Sequence, residues 1–514
     1  VTPLETPQPV DNPFVILPSG PQPTPEGPSR LERGLVGPSS LIPEIPLEDG
    51  QQYRFHFDMS KCIGCKCCEV ACSEQNNNPP EVSWRRVGEV EGGTFPDTQR
   101  LHLSMGCNHC VDPACMNGCP TKAYTKDDKT GIVLHDANVC IGCEYCIWNC
   151  PYSVPVFNEE RGVVGKCDMC HGRLADGDKP ACVNACPSEA LSIEIVDIEE
   201  WKREYASAAN APGLPSADDT ISTTRITPPA QMPLDTEKAD YHRVRPEKPH
   251  WSLVAVTVLT QLSAGGVGAA WLLTLLGGGE ARTAATIALA LGLISLQAAP
   301  LHLGRPAFAP LAMRNWRTSW LSREILGLSA FGGAASGYAA TLWFDLPGSA
   351  WLGFGAALCG LAGVYASSRI YLVPGRPSWN MNHTIADFFL TALILGPLLL
   401  AATGAGPEAM VAVAAGGAVA QLLNQIWKFV RMIRSEEFEL QASARLLSND
   451  LSRAFLARLA LTALGGAVLG LAGYAAAGFV VALAGEVIGR YLFFVSVVPK
   501  NMAMTFFGQR EEAA

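Results

Sequence analysis

Residues 140–151 read Cys140-Ile141-Gly142-Cys143-Glu144-Tyr145-Cys146-Ile147-Trp148-Asn149-Cys150-Pro151, or CIGCEYCIWNCP. Three cysteines two residues apart wrap one point in space. The fourth follows after three residues, on the next helical turn, and points away from that point; a proline then closes the run. The opening and closing recur three times: Cys62, Cys65, Cys68, Cys72; then Cys107, Cys110, Cys115, Cys119, Pro120; then Cys167, Cys170, Cys182, Cys186, Pro187. The gap before the third cysteine is the part that varies. The first group sits in CIGCKCCEVAC, five cysteines in eleven residues, and the spacing of the other groups leaves Cys67 outside the register as a small soft side chain.

The spacing C-x2-C-x2-C-x3-C-P is that of bacterial ferredoxins, where three thiolates hold one [4Fe–4S] cubane and the fourth reaches the next. Four complete groups therefore predict four [4Fe–4S] clusters, with metal ligands Cys62, Cys65, Cys68, Cys72, Cys107, Cys110, Cys115, Cys119, Cys140, Cys143, Cys146, Cys150, Cys167, Cys170, Cys182 and Cys186. Disulfides suit small secreted domains, not repeated close CxxC clusters. Zinc needs only paired CxxC and not the x3-C-P closure. Nothing around the cysteines offers a nucleophile or an acid–base set, so no catalytic residue is assigned. The half that holds them moves electrons, and the chemistry is done elsewhere.

The chain of 514 residues is strongly asymmetric. All its cysteines except Cys359 fall between Cys62 and Cys186, and nearly all its long apolar runs follow Trp251. The net charge of -10 has no basic stripe interleaved with aromatics, which excludes a nucleic-acid binder. We divide the sequence into a Pro-rich extended arm at 1–50, a cluster domain at 51–204, a polar linker at 205–250, a membrane domain at 251–500 and a tail at 501–514. No apolar stretch near residue 1 reads as a signal peptide, and Arg85-Arg86 precedes no apolar run as a twin-arginine leader would. Eight segments of near-spanning length lie at about 251–276, 283–301, 325–344, 350–373, 384–403, 409–433, 454–476 and 477–498. The weak turn AGYAAAG at 472–478 leaves seven spans as the alternative count. The expected fold is an α+β ferredoxin-like four-cluster domain joined to an all-α polytopic membrane domain of eight transmembrane helices.

With eight spans, the loops on the cluster side carry Arg305, Arg314, Arg317, Arg323, Arg376, Arg431, Arg434, Arg445 and Arg453. The opposite loops carry Arg282 and little else. The positive-inside rule then turns the cluster domain toward the cytoplasm, in the inner (cytoplasmic) membrane.

The cysteine half, through CIGCKCCEVAC, CNHCVDPACMNGCP, CIGCEYCIWNCPY and KCDMCHGR…PACVNACP, resembles the four-cluster subunit of the dimethyl-sulfoxide reductase family of molybdoenzymes. The membrane half resembles that family's eight-helix quinone-reactive anchor, through LHLGRPAFAPLAMRNWRTSWLSREI (301–325) and SRIYLVPGRPSWN (368–380). The two are usually separate polypeptides; here they look fused. The resemblance implies an electron-transfer and anchor subunit, with molybdopterin held only by a separate catalytic partner and quinone or quinol as the membrane reactant. It also implies nested ligand sets: Cys62, Cys65, Cys68 with Cys186; Cys167, Cys170, Cys182 with Cys72; Cys107, Cys110, Cys115 with Cys150; and Cys140, Cys143, Cys146 with Cys119. The cytoplasm-facing arrangement resembles the sulfite:quinone oxidoreductase branch, which implies sulfite oxidation with quinone reduction. Reduction of dimethyl sulfoxide or another S-oxide or N-oxide uses the same wiring in reverse. A redox-coupled ion-translocating module is the reading from another class.

Ionisable residues cluster at the span ends on the cluster side: His302, Arg305, Glu324, Tyr371, His383 and Asp387. Such residues are functional suspects. His302 and Glu324 form a titratable pair suited to quinone protons, and the resemblance points to the same two positions. The arginines read as helix anchors at the interface. Haem is not expected, since His302 and His383 would supply a single axial pair at most. Glu486 and Arg490, four residues apart in the last span, read as a buried ion pair, with a proton path as the other option.

Overall fold

The computed structural model describes residues 41–500 apart from 44–45, 212–213, 240–243 and 278–280. The expected tail at 501–514 and most of the arm at 1–50 lie outside the described residues. In chain order the cysteine half contains β1 (Gln51–Asp58), α1 (Cys67–Gln75), β2 (Arg86–Gly92), β3 (Gln99–Met105), α2 (Ala114–Gly118), β4 (Tyr124–Lys126), β5 (Val133–His135), α3 (Tyr145–Asn149), β6 (Val156–Asn158), β7 (Val163–Gly165), α4 (His171–Ala175), α5 (Ala181–Asn184), β8 (Leu191–Asp197), α6 (Ile198–Ala208), β9 (Arg225–Thr227) and β10 (Glu237–Lys238).

Strand β1 has aromatics at every second position, and Phe55 and Phe57 enter the core. It pairs antiparallel with β8, setting Phe55 opposite Ile193 and Phe57 opposite Leu191, and parallel with β9. The short helices follow turns whose residues sit in the left-handed region: Gly64 (φ 69°) and Lys66 (φ 61°) before α1, Gly142 (φ 67°) and Glu144 (φ 58°) before α3. Glycine within CIGC is what lets the backbone curl tightly enough for both cysteines to face one centre. Helix α1 packs on α5 and α2 on α3, so the first cysteine group meets the fourth and the second meets the third.

Residues 205–250 are not the free linker expected from their polarity. Ala217–Asp219 form a 3-10 turn, β9 joins the sheet of β1, and β10 extends the β2–β3 hairpin. Thr223 and Thr224 are buried and donate to the Asn108 carbonyl and its side-chain oxygen at 2.6 and 2.7 Å. Polar residues that bond inward look like solvated residues in a sequence, and their partner lies more than a hundred residues away.

Among the described residues, eight helices are long and apolar enough to cross a membrane. We label α7 (Trp251–Leu275), α8 (Arg282–Ala298, continued by a 3-10 turn to His302), α9 (Trp320–Phe344), α10 (Ser349–Ile370), α11 (Asn382–Ala402), α12 (Pro407–Ile433), α13 (Phe438–Ser448, too short to span), α14 (Ser452–Ala463, continued by a π-helical stretch to Leu469) and α15 (Ala475–Val495). The weak turn between the last two spans is a real break: Gly473 takes φ 87° and the backbone reverses. Two of the loops between spans hold structure of their own, a 3-10 helix over Pro306–Met313 and helix α13. Close packing in the absence of water depends on small residues. A Cβ on Gly265 would fall 2.1 Å from the Ala392 carbonyl oxygen, so α7 and α11 touch backbone to backbone there.

The two halves interlock through main-chain atoms. The amides of Gly304 and Arg305 donate to the Gly142 and Ile141 carbonyls at 3.3 and 3.1 Å. The Asn315 amide and its side-chain nitrogen donate to the carbonyls of Pro120 and Cys119 at 3.0 and 2.8 Å, and the Ser319 hydroxyl donates to the Gly118 carbonyl at 2.8 Å. The second and third cysteine groups are therefore the ones seated on the membrane half.

Candidate functional site

The structure gathers the sixteen cysteines into four groups. Cys62, Cys65, Cys68 and Cys186 line one small cavity, and Cys107, Cys110, Cys115 and Cys150 line another. Cys72 lies in the electrostatic field of Cys182 and Cys170, and Cys167 in that of Cys72 and Cys182. Cys146 is surrounded by Cys143, Cys119 and Cys140. The groups also touch in series. Cys68 feels Cys182, Cys167 feels Cys107, and Tyr124 feels both Cys115 and Cys146.

The donor chemistry fits iron–sulfur clusters. Burial pushes the Cys68 thiol up to about 11 and those of Cys72 and Cys143 to about 12. Four such sulfurs become thiolates together only if a bound metal supplies the balancing charge. Among the described residues no three of them converge on one point as the ligands of a single ion would. Backbone amides aim at sulfur: Ala123 at Cys119 and Ala190 at Cys186, both at 3.3 Å, and Met169 at Cys167 at 3.4 Å. Hydrogen bonds of this kind set cluster potentials. Cys67 is exposed and does not line the cavity of Cys62, Cys65, Cys68 and Cys186, though its sulfur is 4.0 Å from the Cys65 carbonyl.

Cys143 also forms part of the wall of a second kind of site, an apolar cavity of about 500 Å³ at the junction of the two halves. From the membrane half, His302, Glu324 and Tyr371 line it, with Leu253, Leu293 and Leu328 as apolar walls; the cluster domain contributes Ile141, Tyr145 and Trp148. This size and lining, mostly apolar with a few convergent polar groups, suit a flat organic ligand. His302 closes the second span, Glu324 lies in the first turns of the third, and Tyr371 follows the fourth, so all three stand at the membrane face that meets the cysteines. The His302 Nδ1 is buried and has no hydrogen-bond partner among the described residues. A larger opening of about 860 Å³, lined by Arg431, Arg434 and Lys500, has none of the sixteen cysteines on its wall.

Three residues grouped with these from the sequence lie elsewhere. Arg305 donates to the Ala137 carbonyl at 2.9 Å and helps seat the cluster domain. His383 shares a 2.8 Å hydrogen bond with Asn424. Asp387 is buried between α11, α12, α14 and α15, bonded at 2.6 Å to each of Arg458, Gln421 and Gln425. Arg490 turns toward Asp387 (3.9 Å) and Gln261 (2.8 Å), while Glu486 accepts from Thr391 at 2.7 Å, so the expected Glu486–Arg490 pair is replaced by a wider network. Helical spacing of four allows a pair, but Asp387 comes from a distant helix and binds both arginines better. Tyr145, Trp148, Thr257 and Gln297 line the cavity without having been singled out. Tyr145 carried a signal in its place two residues after Cys143; the others carried none.

Fold and site together define an integral membrane protein with an iron–sulfur electron-transfer domain. Residues 98–196 match the family described as 4Fe-4S dicluster domain, and residues 247–495 match DMSO reductase anchor subunit (DmsC). The sequence is 42% identical over 187 residues to a component of the anaerobic dimethyl sulfoxide reductase of Escherichia coli (strain K12), a stretch that covers 35% of this polypeptide and 90% of that one. It is 38% identical over 155 residues to a component of the sulfite dehydrogenase of Allochromatium vinosum (26% and 65%), and 39% over 155 residues to the thiosulfate reductase electron transfer subunit PhsB of Salmonella typhi (30% and 80%). The protein belongs to the family of dimethyl sulfoxide reductase iron–sulfur and anchor subunits, both fused in one polypeptide.

Proposed function

We propose that the protein relays electrons through four [4Fe–4S] clusters between a separate molybdopterin-bearing catalytic subunit and membrane quinone, with the cluster domain in the cytoplasm. The observation that carries this reading is the shared wall. Cys143, in the group seated on the membrane half, borders the same cavity as His302, Glu324 and Tyr371. The ligand sets are those gathered in space above, with the sulfurs supplying charge and the clusters supplying one-electron steps. In the cavity, Glu324 and His302 hold and pass the protons that quinone takes up on reduction, and the apolar walls keep other water out. The cations at the ends of the spans on this side support the cytoplasmic placement.

The substrate reading is sulfite oxidation with electrons delivered to quinone, supported by the cytoplasmic placement and the likeness to a sulfite dehydrogenase component. Reduction of an S-oxide or N-oxide at the expense of quinol is the second reading, favoured by the 42% identity to a dimethyl sulfoxide reductase component over 90% of its length. Ion translocation is a third, supported by the buried network of Asp387, Arg458, Arg490 and Glu486. The test is to purify the protein with its catalytic partner, then add sulfite or dimethyl sulfoxide with quinone or quinol. Cluster reduction by sulfite followed by reoxidation by quinone supports the first reading. Cluster oxidation by sulfoxide after reduction by quinol supports the second. Proteoliposomes that build a potential on turnover, and lose it in Asp387→Asn, support the third.

A further inference from the structure

Arg85 is 1% exposed, yet it makes no ion pair with a carboxylate among the described residues. One nitrogen, Nη1, donates to the Ser104 carbonyl at 3.1 Å and approaches its hydroxyl at 3.3 Å. That hydroxyl is in turn 3.2 Å from the sulfur of Cys68. The guanidinium carbon sits 4.5 Å from the centre of the Phe55 ring, which covers one face. Nε and Nη2 are buried and find no acceptor among the described residues. Gly106 makes room for Nη2, since a Cβ there would fall 3.3 Å from it.

A buried guanidinium with two idle donors is costly unless an anion faces it. The groups whose negative charge acts on Arg85 are Cys182, Cys68, Cys167 and Cys72. Cys68 belongs to the set with Cys62, Cys65 and Cys186; the other three belong to the neighbouring set. Arg85 therefore lies within the field of two cysteine groups, linked to Cys68 through the Ser104 hydroxyl, and no carboxylate among the described residues pairs with it. A cluster gains one negative charge on reduction, so a fixed cation beside it favours the reduced form.

We propose that Arg85 is the positioning residue that sets the reduction potentials of the two clusters held by the first and fourth cysteine groups. Its Nη1 reaches the Cys68 sulfur through the Ser104 hydroxyl, and its Nε and Nη2 have no acceptor among the described residues. The assignment rests on the four-cluster reading above.

The experiment is a redox titration of the whole complex followed by EPR, preceded by iron content and spin count. In Arg85→Gln the clusters of the Cys62 and Cys167 sets become harder to reduce, each by about tenfold in the one-electron equilibrium, or about 59 mV. The clusters of the Cys107 and Cys140 sets keep their potentials, and Arg85→Lys shifts the outer two by less. Unchanged outer potentials in a fully loaded Arg85→Gln protein overturn the proposal, as does an equal shift of all four. Wild-type protein grown with 15N-arginine covers the case of a variant that fails to assemble. Pulsed EPR of its reduced outer clusters then reads a 15N coupling, and the absence of one overturns the proposal. Fewer than four clusters in the wild type would instead overturn the underlying reading.

Discussion

At the scale of single residues, sixteen cysteines gather in groups and Cys67 does not, and the side chains that face the cavity differ from those that hold helices together. Cys67→Ser leaves four clusters by iron content and EPR, because its exposed sulfur is not on the wall of the cavity its neighbours line. Loss of one cluster would show that the register of the first group is wrong. Glu324→Gln leaves the clusters intact but slows quinone-linked reoxidation about a hundredfold, the low end of what a missing proton-transfer group costs. A rate within twofold of wild type would remove Glu324 from the site. The gathering of these sixteen cysteines was legible because cluster chemistry fixes their spacing along the sequence. Trp148 was not, and Tyr145 only through its place beside Cys143, since both line a cavity completed by four distant helices. Asp387 misled for a related reason. A carboxylate at a span end looks the same in sequence whether it meets a ligand or Arg458.

At the scale of elements, β1, β8 and β9 meet at Glu194, which contacts Arg54 at 2.8 Å, His56 at 3.0 Å and Arg225 at 3.3 Å. Burial alone pushes this carboxyl up, but the hydrogen bond from His56 and the charges of Arg54, His56 and Arg225 outweigh it and hold it down to about 2. A depressed carboxylate stabilises the fold above its unfolded value, near 4.3, and loses that effect as pH falls toward about 2. Glu194→Gln therefore speeds hydrogen exchange in β1 and β8 at pH 6, and the difference from wild type narrows at pH 3. A difference that stays constant with pH would mean the effect is packing, not charge. The sheet itself was only partly visible in the sequence. The alternation in β1 is plain, but β9 lies in a stretch that read as linker because its neighbouring threonines bond to Asn108 and not to water.

The docking of the two halves is a property of the elements too. Gly304 lies so close to Gly162 that a Cβ would fall 2.3 Å from the Gly162 carbonyl oxygen. Gly304→Val therefore loosens the cluster domain from the membrane half, and limited proteolysis of the purified complex detects it as new cleavage in residues 299–319. Unchanged cleavage, with clusters intact, would show that the contact is not needed to hold the halves together. Hydropathy and cysteine spacing announce each half separately, but the contacts between them run largely to backbone carbonyls, which carry no side-chain signature on the receiving side.

At the scale of the molecule, the eight spans were legible from length and apolarity, and so was the basis for orienting them, since basic residues gather on one set of loops. The fusion of both functions in one polypeptide has a physical consequence. The cysteine group nearest the cavity is held there by the same molecule that forms the cavity, so its place does not depend on association. The central claim is that electrons pass between this group and quinone in that cavity. The most direct test is freeze-quench EPR of the intact complex, with its clusters reduced by dithionite and then mixed with a quinone in detergent. All four clusters should reoxidise rapidly in the wild type. In Cys143→Ala one cluster signal should be lost, with the other three left reduced after mixing. Equal reoxidation of the remaining clusters in Cys143→Ala, at the wild-type rate, would contradict the claim.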